Sequence, residues 1–169
     1  MPVSPRLLVL LLLTGPCLAA PQPRVDRVDI VAAGIFKAKV AKKVPSPGSA
    51  TGTRNEVVSE TLLRRTTQVP ARLGVEFGFR YRIVGTPKGA NVPVKIVTIY
   101  PGDGLKNPNA GTPTQREELA TDRPIGRVLY ESYRFEHDWE LVPGVWTFEI
   151  WHGDKKLAAP SFAVAASPR

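Results

Sequence analysis

The 169-residue chain is 43% hydrophobic and 22% charged, enough for one domain whose apolar core buries roughly two-thirds of the unfolded chain's surface without a metal or covalent brace. A single cysteine, Cys17, excludes the disulfide-stapled toxins and small secreted enzymes. The net charge of +8 is uneven, with fifteen Lys and Arg against six acids over residues 21–109 and seven against nine over residues 110–169, so the basic part could meet anionic lipid, acidic polysaccharide or an acidic partner.

The first nineteen residues read as a secretory signal. Arg6 precedes the apolar run from Leu7 to Leu13, Thr14-Gly15-Pro16 breaks it, and Ala19-Ala20 offer small residues for cleavage after either alanine. The run is too short to span a membrane. Lipid attachment at Cys17 would want a leucine where Thr14 stands and a small residue where Pro16 stands, so ordinary cleavage is expected. It leaves residues 20–169 as one cysteine-free domain exported to the periplasm or beyond.

The mature chain reads as strands punctuated by proline and glycine. Residues 25–40 and 57–69 are strand-like but irregular, and the intervening 45–52 is a small polar turn of mobile composition. The clearest strand is 74–84, where Val75, Phe77, Phe79, Tyr81 and Ile83 alternate with Glu76, Gly78, Arg80 and Arg82. Period-two alternation buries one face and leaves the other to water. Residues 92–100 are rich in β-branched side chains. Residues 101–124 form a long loop, in which Thr114 and Glu117 have capping-box spacing and predict a short helix over 115–120. A strand-like run over 126–139 carries Leu129, Tyr133 and Phe135. After the Pro143-Gly144 turn, Trp146, Phe148 and Ile150 share one face of a strand. Gly153-Asp154 turns the chain into a returning run, 156–164, where Pro160 marks an edge or a bulge. About seven strands without a long amphipathic helix predict an all-β, single-domain antiparallel sandwich of immunoglobulin-like type.

The segments Val28–Phe36, Leu73–Tyr81, Val142–Ile150 and Ser161–Val164 resemble a bacterial exported family known as domain of unknown function 3859. Its most specific piece is the Pro143-Gly144-x-Trp146-x-Phe148 step into a strand. The resemblance implies a bacterial envelope protein and carries no activity or catalytic residue with it.

The residues point away from catalysis. Two histidines, His137 and His152, stand without a nucleophile elbow, a phosphate-binding glycine loop or zinc-ligand spacing. No catalytic, metal or cofactor site is expected. Glu136-His137-Asp138-Trp139-Glu140 is the densest polar cluster and reads as a charged strand end. As an alternative, Glu136 and Glu140 could serve a polysaccharide-acting enzyme.

Arg80 and Arg82 point away from the aromatic face of their strand. If Arg64 and Arg65 lie on a paired neighbour, these guanidinium groups form an anion-binding surface. Trp151, on the opposite face from Trp146, is a further contact candidate. The expected function is a non-catalytic envelope binding module that engages a protein or an anionic surface component. Peripheral attachment to anionic lipid is a further alternative. Export removes nucleic acid as a partner.

Overall fold

A computed structural model describes residues 22–166. The expected leader, its cleavage points and Cys17 lie outside the described residues. The described residues form ten strands: β1 (Arg24–Pro45), β2 (Thr53–Arg65), β3 (Gln68–Ala71), β4 (Glu76–Thr86), β5 (Asn91–Ile99), β6 (Arg116–Pro124), β7 (Val128–Arg134), β8 (Gly144–His152), β9 (Lys155–Ala158) and β10 (Ser161–Ala166). They build a β-sandwich. One sheet runs β2-β1-β4-β7, and the other runs β3-β10-β8-β5-β6 with β9 beside β8. Every pairing is antiparallel except β3 with β10.

The alternation of β4 survives intact: Phe77, Phe79, Tyr81 and Ile83 are all fully buried. They meet Trp146, Phe148 and Ile150 of β8 and Phe162 of β10 in a continuous core. Phe77 lies at its centre, with ring centroids of Phe135 and Phe162 at 5.3 Å and of Trp146 at 5.6 Å. Tilted and edge-on contacts of this kind add to what area burial alone supplies.

Four sequence expectations are corrected. Residues 115–120 are not a helix, for β6 occupies most of them and pairs with β5 along nine residues. Glu117, Leu119, Thr121 and Arg123 turn partly inward there while Arg116, Glu118, Ala120 and Asp122 face water, which is a strand's period rather than a helix's. The polar cluster 136–140 is not a strand end but a single 3-10 turn, Asp138–Glu140, with Glu140 completely buried. Pro160 breaks the returning run into two strands, and β10 is an interior strand held between β3 and β8. The turn at 45–52 is pinned rather than loose, and Ala50 within it is buried.

The long β1 positions the functional region. Its first part pairs with β4 and its second with β2, so the β1–β2 hairpin outruns the end of β4. Register irregularities fall at Val25/Arg27 and Ile30/Ala32 against β4, and at Ile35/Phe36, Lys39/Val40 and Val40/Lys42 against β2. Bulges bend a strand and increase its twist. The hairpin consequently curls across the outer face of β4 and β7 as a strap. Phe36 and Glu76, on the face opposite the core, are only 2% and 5% exposed.

Candidate functional site

Three sets of contacts hold the strap down. Near its base Arg80 donates to the Glu60 carboxylate and to the Glu60 carbonyl, each at 3.0 Å, and its guanidinium lies over the Phe36 ring at 5.5 Å. Midway, Lys43 and Asn55 both donate to the Glu136 carboxylate, Asn55 at 3.1 Å. At the tip, the Ala50 N–H donates to the Glu117 carboxylate, and Asn107 Nδ2 donates to the Ala50 carbonyl at 2.7 Å. The strap thereby ties the sheet edge at β7 to the sheet edge at β6.

Beneath the strap lies a cleft of about 700 Å³. Ile96, Thr98 and Phe148 reach it from the core side, all of β7 lines it, and β6 and residues 46–60 supply further walls. Arg123 of β6 donates to Glu131 of β7 at 2.6 Å, an ion pair between the two edges. Eight glutamates and three arginines line the space.

Most of these acids are paired. Glu60 meets Arg80, Glu131 meets Arg123, Glu136 meets Lys43, Glu56 meets Lys42, and Glu118 meets Lys95 and Arg116. Glu76, Glu117 and Glu140 form no ion pair among the described residues. Glu76 accepts from Ser132 Oγ at 2.8 Å and Tyr130 Oη at 3.1 Å. Glu140 accepts from Tyr133 Oη at 3.0 Å, the His137 N–H at 2.8 Å and the Glu136 N–H. Beside Glu117 and Glu140 sits Tyr100, 4% exposed, whose buried hydroxyl is directed at the Glu117 carboxylate. Burial, together with the charges of Glu117 and Glu140, pushes that hydroxyl well above the ordinary tyrosine range.

Burial also raises the Glu117 carboxyl, against the Ala50 N–H and the Tyr100 hydroxyl and with repulsion from Glu140 adding to the shift. Glu136 goes the other way: burial would raise it, but hydrogen bonds from Lys43 and Asn55 outweigh that and hold it low. A raised carboxyl makes the folded state bind its proton more tightly than the unfolded chain does. Its contribution to stability therefore declines as pH climbs from the ordinary glutamate value, about 4.3, through the folded value. Glu136, held low, contributes stability above the ordinary value and loses it as pH falls. Glu117→Gln keeps a carbonyl for the Ala50 N–H and removes the buried charge. Thermal melts between about pH 4 and pH 7 should give a variant at least as stable as wild type at neutral pH. The wild-type advantage gained on acidification through Glu117 should be gone. A clear drop in neutral-pH melting temperature would contradict this account of Glu117.

The structure does not gather the residues nominated from sequence. β1 lies between β2 and β4, so the strand of Arg64 and Arg65 never pairs with that of Arg80 and Arg82. Arg64 and Arg65 stand opposite Ile35 and Gly34 and are exposed, Arg82 is exposed opposite Asp29, and Arg80 is committed to Glu60. Trp151 belongs to the other sheet. Its Nε1 donates to Glu149 at 2.8 Å, with Lys95 and Lys156 at 5.8 and 5.3 Å from its ring. Of the two acids considered for catalysis, Glu140 is consumed by the 3-10 turn and Tyr133, and Glu136 by the strap.

Sequence reasoning missed Glu76, Glu117 and Tyr100. Their neighbours come from distant strands, and only the curl of β1 brings the strap above them. No group of three or more His, Cys, Asp or Glu suited to a metal occurs among the described residues. Nor is any helix there long and apolar enough to cross a membrane.

No curated protein matches the chain. Among solved structures, an immunoglobulin-like protein from Pseudomonas aeruginosa is similar, with 25% identity, a TM-score of 0.57, and coverage of 86% of this chain and 98% of that one. The fold is accordingly an immunoglobulin-like sandwich. A family model matches residues 24–164, and the chain belongs to the family described as Domain of unknown function (DUF3859).

Proposed function

We propose that the protein is a non-catalytic binding module of the bacterial cell envelope, exported to the periplasm or beyond, and that it takes its ligand in the cleft beneath the strap. One observation carries this reading: a strap pinned at base, middle and tip roofs about 700 Å³ of space beside a sheet edge. That volume lies within the range of ligand sites, about 300–1,000 Å³. Sandwich domains host many functions, so the argument rests on the site and not on the fold.

The surfaces nominated from sequence support rival readings less well. β1 separates Arg64 and Arg65 from Arg80 and Arg82, and Arg80 is held by Glu60, which weakens attachment to an anionic lipid surface. Glu136 and Glu140 are engaged in structural contacts, which weakens the polysaccharide-acting enzyme.

Site-specific photo-cross-linking in intact cells tests the proposal. A photoreactive residue in place of Val57, on the strap wall of the cleft, should yield a discrete adduct, and one in place of Trp151 should not. Adducts from position 151 alone would move the binding surface to the other sheet and end the cleft reading.

A further inference from the structure

We propose that the cleft receives an extended, lysine- or arginine-bearing segment of a partner protein, which pairs with the free edge of β7. The inference rests on the cleft being the binding site and names what occupies it.

The backbone gives the first argument. Among the described residues β7 pairs only with β4, and beyond Phe36, where β1 leaves β4, the strap pairs only within itself, β1 with β2. In an antiparallel pair, alternate residues direct their N–H and C=O groups away from the partner strand. Phe135, just past the end of β7, both donates to Val75 and accepts from Gly74. Residues of the same parity, Glu131 and Tyr133, therefore face β4, and Tyr130 and Ser132 turn their peptide groups to the cleft. The strap covers this edge without hydrogen-bonding to it. An edge that is roofed but unpaired is sheltered from indiscriminate sheet addition and still available to one guest strand. Seven residues of β7 offer about 24 Å of edge at ~3.4 Å per residue.

Charge selects the guest. Eight glutamates line the cleft against three arginines, Arg54, Arg123 and Arg134, and Glu76, Glu117 and Glu140 have no ion-pair partner among the described residues, whereas Arg123 is neutralised by Glu131 and Arg134 is exposed. A chain that is basic elsewhere thus encloses an acidic space. Side chains of a strand added to β7 would alternate between the core side, with Thr98 and Phe148, and the strap side, with Glu60 and Glu76. A segment alternating basic and small β-forming residues suits both walls.

Titration of the mature protein with a short capped peptide alternating lysine and threonine, followed by nuclear magnetic resonance of backbone amides, tests this. The peptide should shift and slow the exchange of amides in 128–134. Replacing its lysines by glutamates, or N-methylating alternate peptide amides, should weaken binding by about tenfold or more. Equal affinity for the N-methylated peptide would overturn strand addition. Binding of spermidine with the same affinity and shifts as the peptide would replace the segment with a small polyamine. No binding of the lysine peptide would overturn the cationic segment. If photo-cross-linking from position 57 still succeeds in those cases, the cleft stands and its occupant is of other chemistry; if it fails as well, both readings fall.

Discussion

Trp146→Ala is expected to destabilise the protein by about 3–5 kcal/mol, the range for emptying a fully buried tryptophan site. Trp146 is 0% exposed, and its ring lies 4.8 Å from Tyr133, 4.9 Å from Tyr100 and 5.5 Å from Phe135. Its Nε1 donates to the Val142 carbonyl at 3.0 Å, so the substitution also strands an acceptor. Tyr133 lines the cleft and Tyr100 lies against Glu117, and the cavity left behind would loosen the acid cluster as well as the core. Chemical denaturation reads the result directly, through a lower midpoint at unchanged slope. A midpoint equal to wild type would mean that Trp146 is not the central packing residue.

Glu140 gives the second large effect. Its carboxylate accepts three donors, the Tyr133 hydroxyl and the N–H groups of Glu136 and His137, and the residue is completely buried. Removing one partner of a buried hydrogen bond costs about 1–3 kcal/mol per group left unsatisfied. Relief from burying the carboxylate charge offsets part of that. Glu140→Ala should therefore cost about 3 kcal/mol net, and Glu140→Gln, which keeps an acceptor for the two N–H groups, about 1 kcal/mol. Denaturant titrations of both variants separate the contributions. An alanine variant more stable than wild type would show Glu140 to be a structural liability, and the catalytic reading of the acids would regain force.

The two glutamates illustrate what a linear sequence can reveal. Thr114 and Glu117 have capping-box spacing, and so do His137 and Glu140. Only the second pair uses it, through the His137 N–H bonded to the Glu140 carboxylate. Glu117 instead accepts from Ala50, sixty-seven residues away, because β6 finds β5 as a partner and the strap tip arrives above it. Local spacing does not distinguish the two cases; tertiary pairing does.

The same division holds for the fold. The burial of Phe77, Phe79, Tyr81 and Ile83 was legible in the sequence, since alternation fixes faces without reference to other strands. So was the inward face of Trp146, Phe148 and Ile150. Strand order was not. That β1 separates β2 from β4 depends on a 22-residue strand changing partners halfway, and its bulges leave no consistent period to read. The direct pairing on which the arginine surface was built is absent for this reason. Each side-chain direction on β4 was right, but Arg64 and Arg65 are carried by a strand that lies elsewhere. The cleft could not be read at all, because it exists only where the curled hairpin meets two sheet edges.

The cleft exists only while this hairpin lies closed over β7. Amide hydrogen exchange of Ala50 in the folded protein tests it most directly, since that N–H has one partner, the Glu117 carboxylate across the cleft. A closed strap predicts that the Ala50 amide exchanges far more slowly than an unprotected turn amide, and that Glu117→Ala removes the protection. Exchange at the rate of an unstructured peptide in the wild-type protein would place the strap away from β6, and the cleft with it.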